Sequence, residues 1–151
     1  MRTLLSEVFD PRSMRLNLEG KTKEEVFIEL INAITVVHPE CDSTSILASL
    51  KEREDKQSFR ISSVIAMPHA YFKGINNIVG AIGISQTGIE YDAMDLKPVN
   101  IVLMLVIGKQ AEENHLHILC KLFEFARSEA IGMIKNARDV QAIQNILSNF
   151  P

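Results

Sequence analysis

Residues 99–108 form an almost unbroken apolar run, rich in β-branched side chains and closed by Gly108. This run limits what the chain can become. It is far too short to cross a bilayer. It reads instead as a buried strand over residues 100–107, and a strand so apolar needs cover from other elements. Two more apolar stretches, 64–67 and 78–84, read as strands of the same sheet, with a short one at 89–91. Residues 13–18 alternate apolar and polar, the period of a half-buried strand.

The cover is legible as helices. Thr22 followed by Glu25 makes a capping box ahead of the apolar series Val26, Ile28, Leu30, Ile31 and Ile34. His38 and Pro39 end that helix, because the residue before a proline is pushed out of the helical region. Asp42 or Ser43 caps a second helix, with Ile46, Leu47 and Leu50 inward and the run from Lys51 to Lys56 as its solvated, charged end. Leu116, Leu119, Leu122, Phe123 and Ala126 fall at helical spacing and predict an amphipathic helix over residues 112–128. Ile131 and Ile134, then Val140, Ile143, Ile146 and Leu147 behind an Asp139 cap, give two shorter helices. The order of a strand, two helices, a cluster of strands and more helices predicts an α/β fold. Its form is a three-layer sandwich with a mixed central β-sheet flanked by helices. No Gly/Ser- or Pro-rich break interrupts the 151 residues, so 1–151 reads as a single domain.

Charge narrows the partners. A formal net charge of −3, with no extended Lys/Arg cluster, lacks the basic footprint that nucleic acid requires. Glu7 and Asp10 interrupt the apolar character of the N-terminus, so no secretory leader is read there. The expectation is a cytoplasmic protein with no direct membrane insertion. Cys41 and Cys120 form no CxxC unit and are expected to be reduced packing residues.

Only four histidines are available for chemistry near neutral pH: His38, His69, His115 and His117. His69 follows the apolar stretch 64–67 and Pro68, which places it at the rim of the sheet on a rigid element. His115 and His117, two residues apart, point to different faces of the 112–128 helix. They do not chelate a metal as an i, i+4 pair would, and no other cluster suggests a metal or cofactor. Near its helix N-terminus, His115 lies where an anion is favoured and protonation of the ring is not. Arg53 gains interest if its helix end reaches His69, because a guanidinium fork grips phosphoryl oxygens in pairs. His38 and His117 read as ordinary surface residues. No Gly-rich phosphate loop or Walker lysine is present.

Four motifs in sequence order then carry a resemblance: Glu52-Arg53-Glu54; residues 65–70 with Pro68-His69; Tyr91-Asp92-Ala93-Met94-Asp95 with Pro98-Val99; and His115-Leu116 with Leu119. In order and spacing the chain is similar to enzyme IIA of the mannitol/fructose type. This is the type-2 EIIA of the phosphotransferase system, and it includes the nitrogen-regulatory IIA branch. The resemblance implies a mannitol-type EIIA fold and a phosphohistidine at His69. It also implies phosphoryl binding by Arg53 and assistance from His115. The donor it implies is the histidine-containing phosphocarrier protein, and the acceptor or partner is a transporter IIB component or a regulated target protein. The chain departs from the family at the residues before the proline, where the three usual glycines are absent, and at Tyr71, where a basic residue is common. The departure predicts a reshaped pocket, partly occluded by Phe59 or Arg60. The length suits a free-standing nitrogen-regulatory protein. The alternatives are a sugar-specific fructose or mannitol component and a non-catalytic interaction module on the same fold.

Overall fold

The computed structural model describes residues 4–62, 64–91 and 98–151. Its elements run α1 (Leu5–Val8), β1 (Phe9–Arg15), α2 (Lys23–Val37), α3 (Ser43–Lys56), β2 (Ile65–Ala66), β3 (His69–Tyr71), β4 (Ile78–Ile89), β5 (Val99–Ile107), α4 (Glu112–Ala126), α5 (Ala130–Lys135) and α6 (Val140–Asn149). The sheet order is β1-β4-β5-β2, with β3 also paired to β5. β4 and β5 are antiparallel, whereas β1 lies parallel to β4 and both β2 and β3 lie parallel to β5. The mixed sheet expected from the sequence is present.

Every residue of β5 is buried, and its side chains divide by strand alternation. Ile101, Leu103, Leu105 and Ile107 join one apolar cluster with Ile118, Leu122 and Phe125 of α4, Ile134 of α5, and Ile143 and Leu147 of α6. Val102, Met104 and Val106 join another with Val26, Phe27, Leu30, Ile31 and Ile34 of α2 and Ile46 and Leu50 of α3. Helices therefore cover both faces, which makes three layers.

The helix caps follow the sequence. The Thr22–Glu25 capping box is closed in both directions, and Asp42 and Asp139 accept from Thr44 N and Ala142 N. Five expectations need correction. β1 starts at Phe9, before the expected residue 13, because as an edge strand it tolerates Pro11, and its register shifts between Phe9 and Met14. Of the short strand expected at 89–91, Ile89 is the last residue of β4, beyond an irregularity that begins at Ile84, and Glu90 makes only an isolated bridge to Thr22. There Gly88 has a φ of 96°, and a Cβ would strike Pro98. On α2, Ile28 is exposed and Phe27 takes its place inward. On α4, Leu116 and Phe123 are exposed while Ile118 and Phe125 are buried, so the core stripe is rotated from the one expected. Cys120 also faces outward, unlike buried Cys41, whose thiol is pushed up to about 11 by burial and by the nearby Glu40 charge. Among the described residues no helix is long and apolar enough to cross a membrane.

Two backbone features place the site. The outer strand pauses at Met67 and Pro68 between β2 and β3, then resumes along β5 without a slip in register: Ala66 faces Val102 and His69 faces Leu105. After β5, Gly108 lies so close to the 75–77 turn that a Cβ would meet the Asn77 carbonyl at 2.4 Å. Gly108, Lys109 and Gln110 donate backbone hydrogen bonds to that turn. The chain is thereby handed into α4, four residues into which stands His115.

Candidate functional site

His69 opens β3 rather than standing in a loop after the preceding strand. Its Nδ1 lies 3.1 Å from the Met67 carbonyl oxygen. A carbonyl only accepts, so Nδ1 carries the hydrogen and, in the neutral ring, Nε2 holds the free lone pair. Nε2 in turn lies 3.4 Å from Nη2 of Arg53, in the last turn of α3. Burial lowers the His69 pKa from its ordinary 6.5; the bond to Met67 opposes this, and the charges of Arg53 and His115 add to the lowering. The fold thus favours the neutral, nucleophilic imidazole.

The three side chains singled out in the sequence converge. Arg53 reaches His69 directly, and its guanidinium also lies over the Tyr71 ring, 4.7 Å from the centroid. The His115 ring meets the same tyrosine edge-on, with centroids 6.0 Å apart. Beside them opens a cleft of about 460 Å³ lined by Tyr71, Lys73, Lys109 and His115 among others. Arg53 Nε and His115 Nδ1 are both buried with no hydrogen-bond partner among the described residues. Nor has Arg53 a carboxylate in ion-pair range there. Ala111 supplies no side-chain cap to the α4 N-terminus. Such a set of unspent donors suits a small, highly charged anion. His38 and His117 stand elsewhere, His38 beside Glu40 and His117 in a cleft with Leu4 and Phe150.

Three residues whose structural roles the sequence reading missed shape this arrangement. Glu54 belongs to the run read as a solvated helix end, yet it is buried. It accepts from Phe59 N at 2.9 Å, from the Tyr91 hydroxyl at 2.9 Å and from Lys23 Nζ at 3.2 Å. Burial, with the Glu54 charge and hydrogen bond behind it, holds the Tyr91 phenol far above its ordinary range, so it remains a donor. The clue lay in spacing, because Ile46, Leu50 and Glu54 fall four apart on one face of α3. Phe59, expected with Arg60 to occlude part of the pocket, stands directly against His69. It is buried, with its ring 5.1 Å from that of His69, and forms a wall behind a histidine that keeps part of its surface exposed. Arg60 turns its Nε onto the Ser62 carbonyl. Tyr71 is the third. Of the Tyr91–Asp95 motif, residues 92–95 lie outside the described residues, as does Ser63.

The mixed sheet is covered by helices on both faces, and at its rim His69 faces an arginine that has no carboxylate partner among the described residues. The model of the family "Phosphoenolpyruvate-dependent sugar phosphotransferase system, EIIA 2" matches residues 7–150, and the chain belongs to that family. Its members are phosphotransferase components that carry a phosphohistidine. The chain is 25% identical over 144 residues to the nitrogen regulatory protein of Pseudomonas aeruginosa, covering 95% of this chain and 94% of that protein. It is 28% identical over 145 residues to the fructose-specific EIIABC component of Bacillus subtilis, covering 95% of this chain but spanning only 23% of that longer protein. The crystal structure of the nitrogen regulatory protein IIA-Ntr from Neisseria meningitidis superposes with a TM-score of 0.84 at 22% identity, over 96% of this chain and 99% of that one.

Proposed function

We propose that this protein is a single-domain phosphocarrier that accepts a phosphoryl group on Nε2 of His69 from the histidine-containing phosphocarrier protein. The observation that carries the reading is the pairing at His69: Nδ1 committed to a backbone carbonyl, and Nε2 facing the guanidinium of Arg53. In the transfer the Nε2 lone pair forms the new N–P bond as the donor's N–P bond breaks and its electron pair returns to the donor imidazole. The hydrogen on Nδ1 stays shared with the Met67 oxygen, which stabilises the positive charge growing on the ring. Arg53 holds the phosphoryl oxygens, and His115 donates to them from the far side of Tyr71. Little else is asked of the protein beyond positioning and charge.

The test is incubation with phosphoenolpyruvate, the first enzyme of the relay and the phosphocarrier protein. An acid-labile mass gain of one phosphoryl group, assigned by NMR to Nε2, is the expected result. No gain under conditions that label a known IIA would leave the interaction-module reading in its place. Arg53→Ala should label roughly ten- to hundredfold more slowly, the loss of one charge-assisted hydrogen bond. The pH profile follows from the lowered His69 pKa. The labelling rate should hold its plateau below pH 6.5 and decline only at a lower midpoint, whereas a decline centred at or above 6.5 contradicts this environment. The same sign governs stability: as pH falls below 6.5 the unfolded chain takes up this proton before the folded one does, and the folded state loses ground.

Downstream, a nitrogen-regulatory role is supported by the match to the Pseudomonas protein over nearly the whole of both chains. The output is then a regulated partner protein that reads the phosphorylation state. The higher identity to a fructose EIIABC component supports a second reading, transfer to a IIB component during sugar uptake. Adding a IIB component to the labelled protein decides between them, since only the second reading predicts onward transfer. In either role the protein works in the cytoplasm, where its donor is found.

A further inference from the structure

We propose that Tyr71 is a positioning residue that holds Arg53 and His115 in place around His69. The inference rests on the phosphocarrier reading for its consequence, and on geometry for its substance. Tyr71 and His69 are two apart on β3, so they share one side of that strand. Arg53 comes from the last turn of α3 and His115 from the first turn of α4, two helices far apart in the chain. One aromatic ring touches both. The guanidinium lies on its face at 4.7 Å, and the imidazole meets it at an interplanar angle of 80°.

The choice of an aromatic partner has a chemical consequence. A carboxylate would also hold Arg53, but it would occupy the N–H groups that must grip the phosphoryl oxygens and would cancel the charge. A ring face holds the cation through its quadrupole and leaves the in-plane N–H groups free. Among the described residues Arg53 has no carboxylate partner, and its Nε is unpartnered. Tyr71 therefore fixes the arginine without spending it. An edge-on contact with the same ring holds His115, whose Nδ1 is unpartnered.

The experiment compares Tyr71→Phe and Tyr71→Leu with the unaltered protein in two measurements: labelling rate from the phosphocarrier protein, and the NMR titration of His69. Tyr71→Phe keeps the ring and should label within about twofold of the parent, as a face contact needs no hydroxyl. Tyr71→Leu frees the guanidinium and should label roughly three- to tenfold more slowly. In that variant the His69 midpoint should also rise, since Arg53 from α3 is the fixed cation facing it; His115 from α4 is the other charged neighbour. An unchanged midpoint in Tyr71→Leu overturns the positioning role, even if labelling slows, because the ring would then serve only the docking surface. Equal slowing in Tyr71→Phe overturns it as well. If the parent protein takes up no phosphoryl group, the phosphocarrier reading falls, and the titrations alone still decide whether Tyr71 places Arg53.

Discussion

His69→Ala is expected to abolish phosphoryl uptake while leaving the protein folded. The ring is only half-buried, and its neighbours on β3 keep their backbone pairing with β5 whatever side chain stands at 69. Its removal opens space beside Phe59 and forfeits the contact with that ring, a loss of about 1 kcal/mol. The chemical loss is total, because no other imidazole can take its place. His115 Nδ1 has no backbone carbonyl to fix its tautomer, and His38 and His117 stand in other parts of the molecule. The measurement is the intact mass after the relay reaction, beside a thermal melt. Residual labelling in His69→Ala, on any histidine, would overturn the assignment of the nucleophile.

The second large effect is on stability. Glu54→Ala removes the acceptor for two buried donors, Phe59 N and the Tyr91 hydroxyl, and leaves Lys23 without its partner. Stranding the two buried donors costs roughly 3–5 kcal/mol together, while Lys23, whose side chain is 36% exposed, turns to water. In a domain of this size that is a fall in melting temperature on the order of 10–15 °C. Glu54→Gln keeps an acceptor oxygen and should lose much less, about 1–2 kcal/mol, as only the charge facing Lys23 is gone. A melt of Glu54→Ala within a few degrees of the parent would show that water replaces the carboxylate and that the network is not sealed. The effect should reach the site as well, for Glu54 ties down the segment that carries Phe59 and is the next residue after Arg53.

Much of this was legible in the chain itself, for a physical reason. The β5 run admits one reading, a strand covered on both faces, and the capping residues Thr22, Asp42 and Asp139 mark helix starts by chemistry that acts within a few residues. Arg53, His69 and His115 were brought together by the family resemblance rather than by local pattern, and the fold places them around one tyrosine. The failures share a cause too. α4 carries apolar residues on more than one face, so periodicity alone did not say whether Leu116 or Ile118 turns inward; only the sheet decides that. The charge run at 51–56 looked solvated because charge is usually exposed, yet Glu54 finds Lys23 and Tyr91 from segments far away in sequence. Tyr71 looked like a departure from the family and nothing more. Its meaning depends on two helix ends that meet only after folding.

The pause at Met67 and Pro68 has a lasting consequence. The oxygen that sets the tautomer of His69 belongs to the main chain, so no substitution at a side chain can delete it. Changes in the loop before Pro68, or at Phe59, leave that oxygen in place as long as the outer strand keeps its pairing with β5. Only a shift in the path of the outer strand would move it, and that path is fixed on both sides of the pause by the same neighbour, β5.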